Sequence, residues 1–133
     1  MEKLAMIFPF DPEVFRGRRV LITGDTGFKG SWLALWLDRM GAKVWGFALP
    51  PEGERSHFSM LGLAERITHR DGDIRSRDDI KAAVYVAQPE IVFHLAAQSL
   101  VKRSYADPKL TFDTNFGGAV NLLDVLRDAP GVA

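Results

Sequence analysis

The sequence has no cysteine among its 133 residues, which excludes disulfide bonds, thiolate nucleophiles and cysteine-ligated zinc. It also has no excess charge of one sign, because 17 Lys and Arg balance 17 Asp and Glu. Such a chain lacks the field that would hold a nucleic acid or an anionic membrane surface. No apolar run approaches the roughly 20 residues that span a bilayer. These absences predict a soluble, cytoplasmic protein without a nucleic-acid partner, a membrane segment or a metal site.

The composition that is present is typical of one globular domain. Apolar residues make up 47% and charged residues 26% of the chain, and single domains most often contain about 100 to 150 residues. The amino terminus has an acid at its second position and no small-residue cleavage site, so no signal peptide is expected.

Apolar runs alternate with helical spacings along the chain. Strands are predicted at residues 19–23, 43–49, 67–69 and 90–95, and helices at residues 28–40, 58–64, 78–88 and 108–127. This alternation predicts βαβ units, that is, an α/β fold whose parallel sheet is covered by helices on both faces. The chain stops where a fifth strand would begin. We therefore expect a single domain over residues 1–133 that is truncated after the fourth strand and its following helix, as a fragment of a longer chain.

Three glycines, Gly24, Gly27 and Gly30, lie between the first predicted strand and the first predicted helix. A pair of phosphates needs backbone N–H groups that point at it, with no side chain in between, and a helix amino terminus adds attraction. Gly24 would allow the tight turn, Gly27 the approach of the phosphates, and Gly30 close packing of the helix. The motif predicts nucleotide binding, with an empty glycine-rich turn as the alternative. A P-loop is excluded because Lys29 precedes Gly30 and Ser31.

The spacing of these glycines resembles the extended branch of the short-chain dehydrogenase/reductase superfamily. Residues 24–33 resemble the signature GHTGFKGSWL of CDP-glucose 4,6-dehydratases, and residues 72–75, 89–98 and 104–115 match later motifs in the same order. The resemblance implies a Rossmann-type fold, NAD as the cofactor, a nucleotide-sugar substrate and a homodimer formed partly by the long helix. In that family NAD takes a hydride from C4 of the sugar, water is then lost across C5 and C6, and the hydride returns to C6. The later motifs also occur in nucleotide-sugar epimerases, which remain an alternative.

The resemblance also implies which residues hold the cofactor. They are Gly24, Thr26, Gly27, Phe28, Lys29, Gly30, Asp73, Ile74, Leu95, Ala96, Ala97, Gln98 and Asn115. Asp73 would accept a hydrogen bond from the adenine amino group, with the Ile74 backbone nearby, although a turn residue that caps its own loop is the alternative. Residues 95–98 would follow the ribose and the nicotinamide.

Several positions depart from the family pattern. Asp25 replaces a histidine and is expected to place a carboxylate near the pyrophosphate, where Lys29 or Arg103 would offset its charge. No acid ends the second strand, and Glu52 is expected to be an exposed loop acid, so the residues alone leave NAD and NADP open. The adjacent Gly117 and Gly118 weaken a helix by roughly 1 kcal/mol each, so close packing is expected there.

The catalytic Tyr-x-x-x-Lys of the superfamily is not expected in this chain. Tyr105 and Lys109 have the right spacing, but Pro108 lies between them, so the two side chains need not share a helix face. Tyr85 is followed by Pro89 at the lysine position. In the resembled family the catalytic tyrosine lies beyond the fifth strand. We therefore expect no catalytic residue here and no turnover by the chain alone; a stand-alone nucleotide-binding module is the alternative.

Overall fold

The computed structural model describes residues 11–132, and these form a four-stranded parallel sheet flanked by helices. The strands are β1 (Arg19–Thr23), β2 (Lys43–Ala48), β3 (Thr68–Asp71) and β4 (Ile91–His94), and their order across the sheet is β3-β2-β1-β4. Every pair of neighbouring strands is parallel, so all four carboxyl ends lie at one edge. The expected absence of a signal peptide concerns residues that mostly lie outside the described part.

The helices follow the strands in the predicted alternation. They are α1 (Phe28–Arg39), α2 (His57–Met60), α3 (Arg77–Ala87), α4 (Val101–Ala106), α5 (Pro108–Phe112) and α6 (Gly118–Arg127). Short 3₁₀ turns occupy Pro12–Phe15 and Leu63–Glu65, and a π-helical turn, Asp113–Gly117, joins α5 to α6. Side chains cap the amino termini of several of these helices. Ser76 accepts from the backbone N–H of Asp79 at the start of α3, and Asp107 accepts from that of Leu110 in α5.

Two apolar layers hold the helices on opposite faces of the sheet. Along β1, Val20 and Ile22 are buried against residues of α1 and α2, whereas Leu21 is buried against residues of α3 and α6. This alternation follows from the two-residue repeat of a strand whose two faces are both covered. The predicted fold class, a parallel sheet with helices on both faces, is confirmed.

Most element boundaries lie within one or two residues of the predictions, and three differences are larger. Helix α4 was not predicted, because none of its residues is buried and its sequence has no apolar stripe. The predicted helix at residues 58–64 is shorter and ends near Gly62, whose φ of +61° lies in the left-handed region. The helical run at residues 108–127 is present but contains the π turn, so it is not one regular α-helix.

The pair Gly117–Gly118 shows where close packing is needed. A Cβ atom on Gly118 would lie 2.7 Å from Cγ2 of Ile74, whereas one on Gly117 would meet nothing within 4 Å. The expected close packing is therefore confirmed at Gly118 alone, and it fixes α6 against the loop that follows β3. Among residues 11–132, no helix is long and apolar enough to cross a membrane.

Candidate nucleotide-binding site

A cavity of about 490 Å³ opens at the edge of the sheet where the strands have their carboxyl ends. Its volume lies in the range of small-molecule sites, roughly 300–1,000 Å³. The loops after β1, β3 and β4 meet there, as they do at ligand sites of open parallel sheets. The predicted cofactor residues that line it are Gly24, Thr26, Gly27, Phe28, Asp73, Ile74, Leu95, Ala96, Ala97 and Gln98.

Residues 24–30, the glycine loop, form one wall of the cavity. The backbone of this loop packs closely against itself and against the backbone of residues 95 and 96. Gly24 has a φ of +82°, and a Cβ atom there would lie 2.7 Å from the backbone nitrogen of Ala96. A Cβ atom on Gly30 would lie 2.0 Å from the carbonyl oxygen of Gly24. Gly30 does not line the cavity, so its role is the close packing of α1 on the turn. Only glycine is compatible with these two positions.

The amino terminus of α1 is open toward ligands. Gly27 is its N-cap residue, in an extended conformation, and no side chain caps the first turn. The first N–H groups of a helix lack intrahelical acceptors and carry the positive end of the helix dipole. Gly27 lines the cavity, so this end of α1 can receive an anionic group such as a phosphate. Lys29 is exposed and does not line the cavity.

Residues 95–98, the β4 wall, face the glycine loop and are fixed by side-chain hydrogen bonds. The buried hydroxyl oxygen of Thr23 accepts from the backbone N–H groups of Leu95 and Ala96, each at 3.2 Å. The same hydroxyl lies 2.6 Å from Nδ1 of His94 and has its own hydrogen left to donate there. Burial lowers the pKa of His94, which agrees with a neutral ring that accepts this hydrogen. His94 is therefore a supporting residue, which orients the hydroxyl of Thr23 toward the β4 wall.

Asn115 clamps the end of the β4 wall. Its Oδ1 accepts from the backbone N–H of Gln98 at 2.7 Å, and its Nδ2 donates to the carbonyl oxygen of Gln98 at 3.0 Å. The side-chain amide of Gln98 donates to the hydroxyl of Thr111 at 3.0 Å. Asn115 does not line the cavity. Its amide thus positions Gln98, whereas the sequence prediction assigned it to the cofactor.

The loop after β3 brings Asp73 to the cavity and into a local turn. Asp73 lines the cavity, and its Oδ1 accepts from the backbone N–H of Arg75 at 2.9 Å. The expected hydrogen bond to the adenine amino group stays a prediction. The guanidinium of Arg75 donates to both carboxylate oxygens. This hydrogen bonding from Arg75 outweighs partial burial and lowers the pKa of Asp73, which keeps it ionised. Glu52 is exposed, as expected, but it also lines the cavity, as does Arg103.

The expected position of Asp25 is wrong. Its side chain is fully buried and does not line the cavity. The carboxylate extends beneath the loop to β3, where Oδ2 lies 2.6 Å from Nδ1 of His69. The counter-charge is therefore His69, and neither Lys29 nor Arg103. No local sequence pattern indicates this pair, because 44 positions separate the two residues and only the sheet brings them together.

The structure separates Tyr105 from Lys109. Tyr105 lies in α4 and is 85% exposed, Lys109 lies in α5, and the non-helical Asp107 stands between the two helices. Lys109 forms an ion pair with Asp113. Tyr105 thus lies before the helix that Pro108 opens, in a short helix of its own, and the two side chains share no helix face. Within the part of the chain that the structure describes, no group of three potential metal ligands occurs.

Residues 21–132 match the family model described as GDP-mannose 4,6 dehydratase. CDP-glucose 4,6-dehydratase of Salmonella typhimurium is 43% identical over 122 residues, which are 92% of this chain and 34% of that protein. CDP-paratose 2-epimerase of Salmonella typhi is 33% identical over 82% of this chain and 32% of that protein. The chain thus spans about a third of the length of these curated relatives.

Solved structures with bound NAD share the fold. UDP-glucose 4-epimerase of Thermus thermophilus, in complex with NAD, superposes with a TM-score of 0.74 at 32% identity, over 84% of this chain and 34% of that one. The enzyme of the same name from Brucella ovis, also with NAD, gives a TM-score of 0.73 at 26% identity, over 86% of this chain and 34% of that one.

Proposed function

Because the chain belongs to the family described as GDP-mannose 4,6 dehydratase, we propose that it is the NAD-binding part of a nucleotide-sugar dehydratase. One observation carries the proposal: the uncapped amino terminus of α1, reached through the glycine loop, lines the same cavity as the β4 wall. A pyrophosphate would bind at the helix terminus, and the ribose and nicotinamide would extend along residues 95–98. Two solved structures of similar fold contain NAD, which supports this choice of cofactor.

NAD rather than NADP is favoured by the charge near the second strand. Glu52 lines the cavity in the loop after β2. Its carboxylate would repel the additional 2′-phosphate of NADP, whereas it could accept hydrogen bonds from the free ribose hydroxyls of NAD. We therefore expect NAD to bind more tightly than NADP, and Glu52→Gln to reduce the difference.

For the longer protein, we propose a 4,6-dehydratase that acts on CDP-glucose. The support is the identity of 43% to a CDP-glucose 4,6-dehydratase, together with the glycine motif that continues to Leu33. When bound, NAD would supply the hydride acceptor and donor for the sugar. The described residues bind and orient, whereas the proton-transfer groups and most of the sugar site would come from the length of its relatives that this chain does not span. An epimerase is the second candidate, because the solved structures of similar fold include UDP-glucose 4-epimerases.

We also propose that the chain forms a homodimer through the helical run at residues 108–127. Four large apolar side chains on this run are exposed, namely Phe112, Phe116, Val120 and Leu123. In addition, β4 lies at the edge of the sheet, where unpaired backbone groups favour association. Sedimentation at micromolar concentration should give a dimer or larger species, and a stable monomer would contradict this.

Isothermal titration of the chain with NAD tests the central proposal. We expect saturable binding with a stoichiometry of one per chain, weaker binding of NADP, and no conversion of CDP-glucose to a 4-keto-6-deoxy sugar. Absence of NAD binding to a folded chain would leave only a structural or interaction role. Measurable turnover would contradict the assignment of the catalytic groups to the remaining length.

A further inference from the structure

A buried carboxylate and an imidazole connect the glycine loop to strand β3. Asp25 is fully buried, and its Oδ2 lies 2.6 Å from Nδ1 of His69. Its other oxygen, Oδ1, has no hydrogen-bond partner among residues 11–132. On the opposite side of the ring, Nε2 of His69 lies 2.9 Å from Oδ1 of Asp71. Both nitrogens of the ring therefore meet a carboxylate.

This geometry defines the protonation state of His69. A neutral imidazole has one N–H group and one lone pair, so it can donate to only one of two ionised carboxylates. Two donated hydrogen bonds require the imidazolium form. Burial alone would lower the pKa of His69, but the hydrogen bonds and charges of Asp25 and Asp71 outweigh burial and raise it above its ordinary value. Asp25 and His69 therefore form an ion pair with no net charge.

The sheet is shaped to admit this pair. Gly46 of β2 lies opposite His69 in the register, and a Cβ atom there would lie 1.9 Å from Oδ2 of Asp25. The ring of Phe58 in α2 covers His69, with 5.2 Å between the ring centroids. Among the described residues, the charged partners of His69 are Asp25 and Asp71, since Gly46 and Phe58 do not titrate. Asp71 is exposed, so water screens its charge, and the charge of His69 is coupled mainly to the buried Asp25.

We propose that the Asp25–His69 pair positions the glycine loop and that the charge of His69 controls the affinity of this loop for a pyrophosphate. The inference rests on the proposed function, because it concerns the same site. Asp25 directly follows Gly24, which lines the cavity. With His69 protonated, the pair is neutral. With His69 neutral, one uncompensated negative charge lies beneath the loop and repels a bound pyrophosphate, which lowers its affinity by about fivefold.

The direction of the pH effect follows from the raised pKa of His69. Stability from the ion pair is fully present below the pKa of the unfolded chain and is lost as the pH rises through the pKa of the folded chain. NAD affinity changes in the same direction, highest at low pH and lower once His69 is neutral. By linkage, bound NAD must raise the pKa of His69 further.

Titration of the chain with NAD between about pH 5.5 and about pH 9.5, on either side of the usual imidazole pKa, tests this inference. The wild-type affinity should fall about fivefold across the range. Asp25→Asn removes the negative charge and with it the main cause of the raised pKa of His69, so burial favours the neutral ring and the affinity should change much less with pH, staying close to the low-pH wild-type value. His69→Gln leaves Asp25 without a cation, so at the alkaline end of the range its affinity should be close to the weaker wild-type value.

His57→Gln is the matched control. His57 is partly buried beside α1, but its Nδ1 lies 2.6 Å from the hydroxyl oxygen of Ser31 rather than from a carboxylate. This variant should keep the pH dependence of the wild type. If a variant fails to fold, NMR titration of His69 in the wild type replaces it, and saturating NAD should raise the pKa of His69.

The outcomes separate the two proposals. NAD binding that is independent of pH, or an unchanged His69 pKa on saturation, would overturn the role of the pair while leaving the NAD site in place. The same steep pH dependence in Asp25→Asn would also overturn it. Absence of NAD binding at every pH would overturn the proposed function and this inference together.

Discussion

The glycine loop at residues 24–30 keeps its shape because glycine has no side chain, whereas the β4 wall at residues 95–98 is fixed by hydrogen bonds to neighbouring side chains. In the loop, a single added carbon at Gly24 or Gly30 would overlap with backbone atoms. In the β4 wall, the backbone N–H groups of Leu95 and Gln98 donate hydrogen bonds to the side chains of Thr23 and Asn115, which hold the backbone in place. The loop should therefore be sensitive to added atoms, and the β4 wall to the removal of polar atoms.

The difference has a functional counterpart. A backbone surface with open N–H groups accepts a phosphate regardless of what is attached to it, so the loop supplies attraction. The β4 wall presents the small side chains of Ala96 and Ala97 on a chain segment that cannot shift freely, so it supplies position. A site that attracted phosphates but did not position the rest of the nucleotide would have low selectivity. The cavity combines both because β1 lies between β2 and β4 in the sheet.

The largest effect is expected from Gly30→Ala. The added Cβ would lie 2.0 Å from the Gly24 carbonyl oxygen, so α1 or the turn must move. We expect the free energy of unfolding to fall by at least about 2 kcal/mol, with loss of NAD binding. Urea unfolding monitored by circular dichroism measures this. Gly117→Ala is the matched control, because that position also lies in the helical region and a Cβ there meets nothing within 4 Å. Equal stability of the two variants would refute the packing role of Gly30.

Gly27→Val should separate binding from folding in the same loop. Gly27 has an extended backbone that valine adopts readily. A Cβ there would lie 3.3 Å from the Gly24 carbonyl oxygen, a tight contact that a shift of a few tenths of an ångström relieves, so we expect the fold to tolerate the change. Its methyl groups would enter the space of the pyrophosphate. We expect NAD affinity to fall by about 100-fold or more, about 2.7 kcal/mol. Titration calorimetry measures this. Unchanged affinity in a folded variant would contradict the assignment of the phosphate position.

The two walls also differ in how far the sequence could predict them. The glycine loop is local, and its three glycines stand between a strand and a helix, so both its position and the role of Gly30 were predicted. The hydrogen bonds of the β4 wall join residues far apart in the chain: Thr23 contacts a backbone 72 positions away. No local pattern encodes such contacts. Asn115 was found through the family resemblance, but its contact with Gln98 required the fold.

The same distinction explains the fold-level results. Strands β1 and β2 were predicted because a buried parallel strand is a continuous apolar run. Strand β3 is polar and mostly exposed, and only the apolar Ile67 before it indicated its position. Helix α4 was missed because none of its residues is buried, so its sequence has no apolar period. Asp25 was misplaced because a charged residue beside a phosphate motif suggests exposure. The room made by Gly46 and the counter-charge of His69 reverse that expectation.

Asn115→Ala tests the β4 wall by removal of atoms. The variant loses both hydrogen bonds to the backbone of Gln98, so this end of the wall should become mobile while the core stays packed. Hydrogen bonds of this kind contribute about 0.5–1.5 kcal/mol each, so we expect NAD affinity to fall about fivefold to tenfold. Asn115→Asp keeps the acceptor for the Gln98 N–H and should give an intermediate loss. An affinity of Asn115→Ala equal to that of the wild type would show that the wall is fixed by its backbone alone.

The smallest effect is expected from Tyr105→Phe, which alters neither wall. The side chain is 85% exposed and does not line the cavity, and its formal partner Lys109 lies in another helix, paired with Asp113. Removal of one exposed hydroxyl should change NAD affinity by less than about twofold and the free energy of unfolding by less than about 0.5 kcal/mol. Calorimetry and urea unfolding measure both quantities. A tenfold loss of affinity here would instead place Tyr105 in the site. It would also mean that α4 moves toward the β4 wall when the cofactor binds, since the exposed ring has no contact with the cavity in the present structure.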